Sequence, residues 1–303
     1  MDSQFNNQPL VSVIMNCYNG EKFLRESIDS VINQSYKNWE LIFWDNKSED
    51  TSAEIFNSYK DKRLQYFCAE EHTGLYKARN LAIDKSRGDF ISFLDTDDLW
   101  DKRKLELQMN CFNDKKVGLV FSNFWLLKKN KQNKKLAYKK KLPRGNLYNE
   151  LLKDYIVGIL TVIIRKNYYL KLEKKFDERF SFVGDFDLFL RLSKICIFES
   201  IQKPLASHRL HGKNLSALNK EKEIEEFNIW LAENKSNLST FHIKNIQKKI
   251  YYRQFVNCKI EGNYKECINI LLNSKTNLFG IKNIIIFFMP IVILKKFLWY
   301  HQN

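Results

Sequence analysis

The chain has 303 residues, enough for about two domains, and 44% of them are hydrophobic, which excludes a disordered chain. Ten Gly and four Pro exclude a collagen-like or low-complexity protein. The 50 basic residues exceed the 35 acidic ones and give a net charge of +15, so the surface should attract polyanions such as nucleic acid, anionic lipid or phosphorylated substrates.

The first 112 residues alternate predicted strands with predicted helices. Such alternation predicts βαβ crossovers and an α/β fold with a mainly parallel sheet. In such sheets ligands bind beyond the carboxyl ends of the strands, where three polar clusters lie: Asn16–Gly20, Asp45–Asp50 and Asp95–Asp98. The predicted strands are Leu10–Cys17, Glu40–Trp44, Leu64–Phe67 and Phe90–Leu94, and the predicted helices are Glu21–Gln34, Thr51–Lys60, Leu75–Ser86 and Asp101–Phe112.

The pattern changes after residue 116. A basic run, Lys128–Arg144, holds eight lysines and one arginine with no acid. It is interpreted either as a solvated hairpin tip or as a surface that holds the protein against anionic lipid. The predicted strands here are Val117–Leu127 and Gly158–Arg165, and the predicted helices are Gly145–Ile156, Asp185–Leu192 and the whole of 221–275 except a turn at Glu261–Asn263.

The C-terminal tail contains an apolar segment, Ile284–Leu294. Its eleven residues are fewer than the roughly 20 needed to span a bilayer, and Pro290 interrupts it. Lysines flank it, and Trp299 and Tyr300 follow, which is typical of a segment lying in a membrane interface. A buried terminal helix is the alternative.

The cysteines and the N-terminus indicate the compartment. The six cysteines show no CxxC spacing, and several lie in apolar runs, which favours buried free thiols over a disulfide frame or a zinc site. The first ten residues have neither the basic nor the apolar region of a secretory signal. We therefore expect a cytoplasmic protein.

The strongest candidate site is the acidic loop Asp95–Asp98, which has three carboxylates in four residues after an apolar strand. Crowded carboxylates repel one another unless a cation neutralises them, and oxygen ligands suit Mg²⁺ or Mn²⁺. Such an ion commonly holds a substrate diphosphate. The alternative is that Asp97 and Asp98 cap a helix that begins at Leu99.

Two further side chains are candidates for nucleotide binding. Asp45, at the end of a predicted strand, could accept a hydrogen bond from a nucleobase imide, or could form an N-cap or Asx turn. Arg79, one turn into a predicted helix, could brace a nucleotide, although a solvated helix charge is the favoured interpretation of this residue taken alone.

The later motifs hold a candidate base and two histidines. Asp185 follows Gly184 at a predicted helix start, where it could be a general base or an N-cap. His208 and His211 lie in the stretch Ser207–Gly212, where one histidine could contact a metal ion or a diphosphate. A structural histidine is the alternative.

Together and in this order, the motifs resemble a family 2 glycosyltransferase of the GT-A fold. The opening, VSVIMNCYNGEKFLRESIDSVINQSYKNWELIFWDNKSEDTS, is similar to the family's strand, Tyr-Asn turn, helix and Asp-rich strand end. HTGLYKARNLAIDKSRGDFISFLDTDDLW resembles its Ala-Arg-Asn and Asp-x-Asp-Asp stretch, FDERFSFVGDFDLFLRLS its base segment, and HRLHGKNLS its closing His-x-x-Asn-x-Ser. The resemblance covers residues 9–216.

The resemblance implies roles for individual residues. Asp185 is in the position of the catalytic base. Asp97 and His211 are in the position of metal contacts, with Mn²⁺ or Mg²⁺ as the cofactor. The positions that contact the donor nucleotide are those of Asn16, Tyr18, Asn19, Asp45, Gly74, Arg79, Asp95 and Thr96. Two departures from the family pattern are the sequence Asp45-Asn46-Lys47 in place of Asp-Asp-Gly, and Gly184 in place of the usual acid before the base.

The resemblance also implies a reaction, partners and domains. It implies inverting transfer of a sugar from a nucleoside-diphosphate sugar, with a UDP-sugar favoured, to the hydroxyl of a glycan or lipid-linked acceptor in capsule, lipopolysaccharide or other surface-glycan synthesis. The protein would be cytoplasmic or peripheral on the inner face of the cytoplasmic membrane. We expect a GT-A catalytic domain over residues 1–216, a C-terminal α-helical region over 217–280, and an apolar and basic tail over 281–303.

Three other interpretations compete with this one. A nucleic-acid-binding protein fits the net charge, but the sequence shows no zinc knuckle, recognition-helix signature or RRM-type aromatic motif, so no nucleic acid is expected as a partner. A nucleotidyltransferase usually carries a Gly-rich phosphate loop near its N-terminus, and Asn19-Gly20 is not one. A non-catalytic relative that binds a nucleotide sugar is the third.

Overall fold

The computed structural model describes residues 8–128, 134–211, 214, 219–273 and 286–294. The chain divides into two compact units. The first comprises Met1–Leu151 and Tyr155–His211, and the second comprises Leu152–Asp154 and Gly212–Asn303. The predicted boundary at 216/217 lies outside the described residues.

The first unit is built on a nine-stranded sheet with the order β3-β2-β1-β4-β8-β6-β9-β5, and β7 pairs with β6. Pairing is parallel among β1–β4 and between β6 and β9, whereas β5, β7 and β8 pair antiparallel. The strands are β1 (Val11–Cys17), β2 (Trp39–Asp45), β3 (Leu64–Cys68), β4 (Phe90–Phe93), β5 (Leu99–Trp100), β6 (Val117–Lys128), β7 (Lys134–Leu136), β8 (Ile163–Arg165) and β9 (Ile197–Leu210).

Helices join the strands and cover the sheet. They are α1 (Glu21–Ile32), α2 (Ser52–Asn57), α3 (Leu75–Asp84), α4 (Lys104–Met109), α5 (Tyr148–Lys153), α6 (Lys166–Leu170) and α7 (Gly184–Ser193). The main core contains the β1 side chains Val11, Val13 and Met15 together with the α1 face Leu24, Ile28 and Val31. This face has the helical spacing that the sequence shows, so the same periodicity that predicts the helix also positions it on the sheet.

Several predicted elements differ from the observed ones. Only Ile163–Arg165 of the predicted strand Gly158–Arg165 is extended, because Ile159–Thr161 form a 3₁₀ turn. The helix predicted over Gly145–Ile156 is only α5, and the one predicted over Asp101–Phe112 is α4 followed by a 3₁₀ turn.

The 14-residue strand β9 was not predicted. Its pairing with β6 shifts register so that Ser122 pairs with Ile201 but Asn123 pairs with Pro204. The bulge accommodates a proline, which lacks the N–H that a regular ladder requires. Pro204 and the polar residues of the bulge hide the alternating pattern of a strand.

The second unit is helical and has its own core. Its helices are α8 (Lys220–Asn234), α9 (Thr240–Glu261) and α10 (Tyr264–Asn273), so the predicted continuous helix is interrupted before Thr240. The predicted turn after α9 is confirmed, with Gly262 in the left-handed conformation (φ 76°) that favours glycine. Phe255, Cys267, Ile270, Ile286 and Leu294 form the core.

The described part of the tail, 286–294, has a packed side and an exposed side. Ile286 and Leu294 are buried, as the buried-helix interpretation expects, while Phe288 and Val292 are 77% and 80% exposed, as the interface interpretation expects. Among the described residues, no helix combines the length and apolar character needed to cross a bilayer.

Candidate active site

The parallel strands β1, β2 and β4 bring the first predicted site residues to one edge of the sheet. Cys17 at the end of β1 pairs with Asp45 at the end of β2, and Ile14 of β1 pairs with Phe93 at the end of β4. The chain leaves these three ends through Tyr18, Asn46 and the acidic loop. This is the edge at which parallel sheets bind ligands.

Asn16 is half-buried near the end of β1. Its Nδ2 is buried and has no hydrogen-bond partner among the described residues. A buried donor left without a partner costs free energy unless a ligand or water accepts its hydrogen bond. The Asn16 Nδ2 is therefore available to a ligand or a water molecule, and its contact with a nucleotide stays a prediction.

The turn after β1 combines an exposed aromatic ring with a close backbone approach. Tyr18 is half-exposed, and its ring centroid lies 4.1 Å from that of His72. Asn19 adopts a left-handed conformation (φ 54°), and its Oδ1 accepts the Glu49 backbone N–H. A Cβ on Gly20 would lie 2.8 Å from Thr96 Oγ1, so glycine is required where this turn meets the acidic loop.

Asp45 is buried, and both of its carboxylate oxygens accept hydrogen bonds. Oδ1 accepts the Ser48 N–H at 2.8 Å, and Oδ2 accepts the Tyr66 hydroxyl at 2.7 Å. The bond to Ser48 spans three residues, so it is a local side-chain-to-backbone bond similar to the predicted Asx turn, which spans two. Contact with a nucleobase stays a prediction.

Arg79 of α3 is not a solvated helix charge. Its side chain is 4% exposed, and Nη2 donates to Asp95 Oδ1 at 2.9 Å. The helix begins after Gly74, which has extended backbone angles as its N-cap. Arg79 thus links the first half of α3 to the acidic loop, while its contact with a donor nucleotide stays a prediction.

Asp97 and His211 lie together although 114 positions separate them in the chain. His211 Nε2 is 2.8 Å from Asp97 Oδ2, and the His211 ring packs 5.3 Å from that of Phe23. Burial and the other carboxylates of the acidic loop raise the pKa of Asp97 to about 6, while His211 and His208 oppose the rise.

Asp98 does not cap a helix, because Leu99 begins strand β5. Instead its carboxylate accepts the Arg209 N–H at 2.9 Å and lies 3.1 Å from His208 Nδ1. Burial alone would lower the pKa of His208, but the carboxylates of the acidic loop raise it to about 9. His208 thus links β9 to the acidic loop, the structural role that the sequence leaves open for one of these histidines, and its raised pKa favours the cationic form.

The donor set around Asp97 fits a divalent ion shared with a substrate. Within the described residues, no three or more His, Cys, Asp or Glu side chains are arranged to hold a metal ion. One carboxylate and one imidazole lie in contact, and burial together with the neighbouring carboxylates raises the pKa of Asp97, so a bound cation would favour its charged form. Mg²⁺-type ions are often held by one or two protein ligands, with substrate phosphates and water completing the shell.

Asp185 lies in the first turn of α7 rather than at its N-cap, which is Val183. Its Oδ1 accepts the Phe186 N–H at 2.8 Å and the Tyr76 hydroxyl at 3.3 Å. Burial raises the pKa of Asp185, and the Arg79 charge, the Phe186 N–H and the hydroxyls of Tyr155 and Tyr76 partly offset this rise. The candidate base is thus electrostatically coupled to the arginine that pairs with Asp95.

Asp187 does not share this position, because it pairs with Arg191 on the next turn of α7 at 2.6 Å. The carboxylate that accepts the Tyr76 hydroxyl is that of Asp185, the residue that the sequence interpretation names as the candidate base.

The sequence-based reasoning overlooked two tyrosines beside Asp185. Tyr76 comes three residues before Arg79 on α3. This i, i+3 spacing places the two residues on the same face of the helix, and it could have indicated that Tyr76 lies in the site. Tyr155 follows α5; its buried hydroxyl makes no hydrogen bond of good geometry among the described residues, but it lies near enough to affect the Asp185 carboxyl. The sequence around Tyr155 gave no signal for this contact.

Comparison with known proteins identifies the class of protein. Residues 12–180 match glycosyl transferase family 2. The chain is also 32% identical over 218 residues to the Escherichia coli UDP-Glc:alpha-D-GlcNAc-diphosphoundecaprenol beta-1,3-glucosyltransferase WfgD, an alignment covering 71% of this chain and 83% of that protein. The chain therefore belongs to glycosyl transferase family 2, an inverting family, as its motifs predict.

Solved structures support the same fold. Staphylococcus aureus TarS 1-349 in complex with UDP-GlcNAc superposes with a TM-score of 0.67 at 20% identity, covering 86% of this chain and 79% of that one. Pyrobaculum calidifontis mannosyltransferase PcManGT, in complex with GDP-Man and Mn²⁺, gives 0.62 at 14% identity, covering 98% and 83%. The predicted GT-A fold with a C-terminal helical region is confirmed, and the nucleic-acid-binding and non-catalytic alternatives are not favoured.

Proposed function

We propose that this glycosyltransferase uses a UDP-sugar and a divalent ion to glycosylate a lipid-linked acceptor in surface-glycan synthesis. The observation that carries the proposal is the continuous cluster in which Arg79 pairs with Asp95 and also neighbours Asp185. It links the donor side of the site to the candidate base. WfgD supports the choice of donor and acceptor, because its name specifies UDP-Glc and a diphosphoundecaprenol.

The surroundings of Asp185 support the proposed base role. A carboxylate with a raised pKa is a better proton acceptor near neutral pH than an exposed one. Asp185 takes the proton of the acceptor hydroxyl while that oxygen attacks the anomeric carbon opposite the diphosphate. The new C–O bond forms, the bond to the diphosphate breaks, and the configuration inverts.

The donor-side residues fix the nucleotide before attack. Asn16 offers its unpartnered Nδ2, and Tyr18 offers an exposed ring. Holding the donor in line for attack removes part of the entropic barrier. The remaining donor contacts in this proposal are Asn19, Asp45, Gly74, Arg79, Asp95 and Thr96.

Asp97 and His211 would hold the divalent ion, Mn²⁺ or Mg²⁺. When bound, the ion neutralises negative charge on the leaving diphosphate. PcManGT with Mn²⁺ supports a metal at this type of site. We assign residues 1–216 to a catalytic domain and residues 217–280 to a separate helical region.

A donor screen tests the proposed function. Purified protein is incubated with a panel of nucleoside-diphosphate sugars and acceptor lipid, and free nucleoside diphosphate is measured. We expect release from one uridine donor and a Kd for UDP with Mn²⁺ in the micromolar range, about −8 kcal/mol. Equal binding of all bases, or binding without release, would overturn the proposal.

A pair of variants tests whether Asp45 determines the preference for the uracil base of the donor. Asp45→Asn keeps an oxygen for the Ser48 N–H but loses an acceptor for a base imide. It should reduce the preference for UDP over other diphosphates. Asp61→Asn, which changes a loop carboxylate that binds the side chain and the backbone N–H of Arg63, is the matched control.

Chelation tests the metal. We expect EDTA to reduce transfer to background and Mn²⁺ or Mg²⁺ to restore it, because Asp97 and His211 alone cannot neutralise the diphosphate. The unfolding temperature measured in EDTA is the control for loss of structure. Undiminished transfer in the chelator would remove the ion from the proposal.

The proposed membrane association rests on two exposed surfaces, one in each unit. The basic run is partly exposed in the first unit, where Lys139, Lys140 and Lys141 face solvent after β7. The described tail and α10 expose an apolar set of side chains: Leu272, Phe288, Val292 and Ile293. Lysines near an anionic membrane contribute about 1 kcal/mol each, and exposed apolar side chains can enter the interface.

Vesicle flotation tests this association. The protein should float with anionic vesicles at low salt, and the variant with Lys139, Lys140 and Lys141 changed to Glu should float less. A control with Lys60, Lys62 and Lys102 changed to Glu has the same net charge. Phe288→Ser with Val292→Ser should weaken the binding that persists at high salt. Equal flotation of both charge variants would exclude the basic run as the lipid contact.

A further inference from the structure

We propose that Tyr76 is a positioning residue that holds Asp185 for proton transfer, and that residue 184 is glycine because the Tyr76 ring occupies its side-chain space. This inference rests on the proposed role of Asp185 as the base. It explains the departure in which Gly184 replaces the acid usual in the family.

The Tyr76 hydroxyl contacts Asp185 at two points. It donates to Oδ1 at 3.3 Å, and it accepts the Asp185 backbone N–H at 3.2 Å. One hydroxyl therefore fixes both the carboxylate and the first turn of α7. Packing fixes the position of this hydroxyl, because the Tyr76 ring is buried and stacked on Phe176 with centroids 5.1 Å apart.

Gly184 leaves room for this ring. A Cβ built on Gly184 would lie 2.5 Å, 2.6 Å and 2.8 Å from three atoms of the Tyr76 ring. Real Cβ atoms do not approach so closely, so any side chain at 184 would displace the ring from Asp185. The backbone of Gly184 is helical, so steric exclusion rather than backbone strain requires glycine here.

The groups that face Asp185 determine in which direction its pKa changes when the Tyr76 hydroxyl is removed. Arg79 and Tyr76 of α3, Tyr155 after α5 and the Phe186 N–H all favour the charged carboxylate, while burial opposes it. Removing the Tyr76 hydroxyl takes away one favourable contact. The pKa of Asp185 then rises, and a base that must be deprotonated loses activity first at the acid end of the pH range.

The first test is Tyr76→Phe, which adds no atoms and keeps the ring. We expect kcat to fall roughly tenfold, as for one lost hydrogen bond to a charged group, with donor KM unchanged. The acid limb of the kcat–pH profile should move to higher pH. Tyr169→Phe is the matched control, because it removes a hydroxyl bound to Asn80 in the same aromatic cluster without touching Asp185.

The second test is a double-mutant cycle. Gly184→Ala should lower kcat in the wild-type background by displacing the ring, and should have little further effect in a Tyr76→Ala background, where the collision is absent. Unfolding temperatures accompany each variant. Equal losses from Gly184→Ala in both backgrounds would overturn the steric part of the inference.

The outcomes separate this inference from the proposed function. If Asp185→Asn retains full transfer, the base assignment itself is wrong. If Asp185→Asn is inactive but Tyr76→Phe keeps the wild-type kcat and pH profile, only the role of Tyr76 is overturned. A pH shift in Tyr169→Phe equal to that in Tyr76→Phe would also overturn it.

Discussion

Replacing Asp185 with Asn should leave donor binding intact and lower transfer by roughly 10²–10⁴-fold, the usual contribution of a general base. The amide has nearly the same shape and can still accept the Phe186 N–H and the Tyr76 hydroxyl through its oxygen. It cannot take up a proton from the acceptor. The loss should therefore appear in kcat, while the Kd for UDP stays at the wild-type value.

Asp187→Asn is the matched control for this prediction. Asp187 lies on the same helix, but its carboxylate pairs with Arg191, whereas that of Asp185 accepts the Tyr76 hydroxyl. This variant should lose stability without the large fall in kcat. Comparison of the two variants by nucleoside-diphosphate release and calorimetric UDP binding tests the assignment. Wild-type turnover of Asp185→Asn, or equal loss in both variants, would contradict it.

The position of the candidate site at one edge of the sheet was predictable, because apolar strands and their polar ends can be recognised locally in the sequence. The ends of β1, β2 and β4 meet at one edge in any parallel sheet, so Asn16, Asp45 and Asp95 could be grouped without coordinates. The grouping of Asp97 with His211 could be inferred only from family resemblance. Their contact depends on β9, whose bulge at Pro204 conceals the strand pattern.

The contacts around Arg79 could not be predicted from residue type. An arginine on a short helix is usually solvated, and its burial depends on tertiary neighbours that no local pattern specifies. Here Asp95 supplies the counter-charge, and the rings of Tyr76 and Phe93 lie 5.4 Å and 5.9 Å from the guanidinium. The sequence also could not show why residue 184 is glycine. The collision of a Cβ at this position with the Tyr76 ring arises only when α3 packs against α7.

Replacing Arg79 with Met should impair both folding stability and catalysis. The free energy of unfolding should fall by about 1.5–3 kcal/mol, the range for a hydrogen bond to a charged group. A larger loss is not expected, because Asp95 is 39% exposed and stays partly hydrated when its partner is lost. Catalysis should fall for a different reason, which is a change in the pKa of Asp185. The Arg79 charge lowers the pKa of Asp185, so its removal raises that pKa and shifts the acid limb of kcat to higher pH.

Lys77→Met is the control that isolates this effect. Lys77 lies on the same helix, but its side chain is 44% exposed and its nearest acid, Glu71, is 3.9 Å away. Such surface pairs contribute about 0–1 kcal/mol, so this variant should match the wild type in urea unfolding and in its pH profile. Raising the pH should restore part of the kcat of Arg79→Met, because Asp185 regains its negative charge. Because Arg79 is also a proposed donor contact, we expect weaker UDP binding in this variant, and higher pH should not restore it. An Arg79→Met variant with the wild-type acid limb would show that Arg79 acts only on the donor and is not coupled to the base.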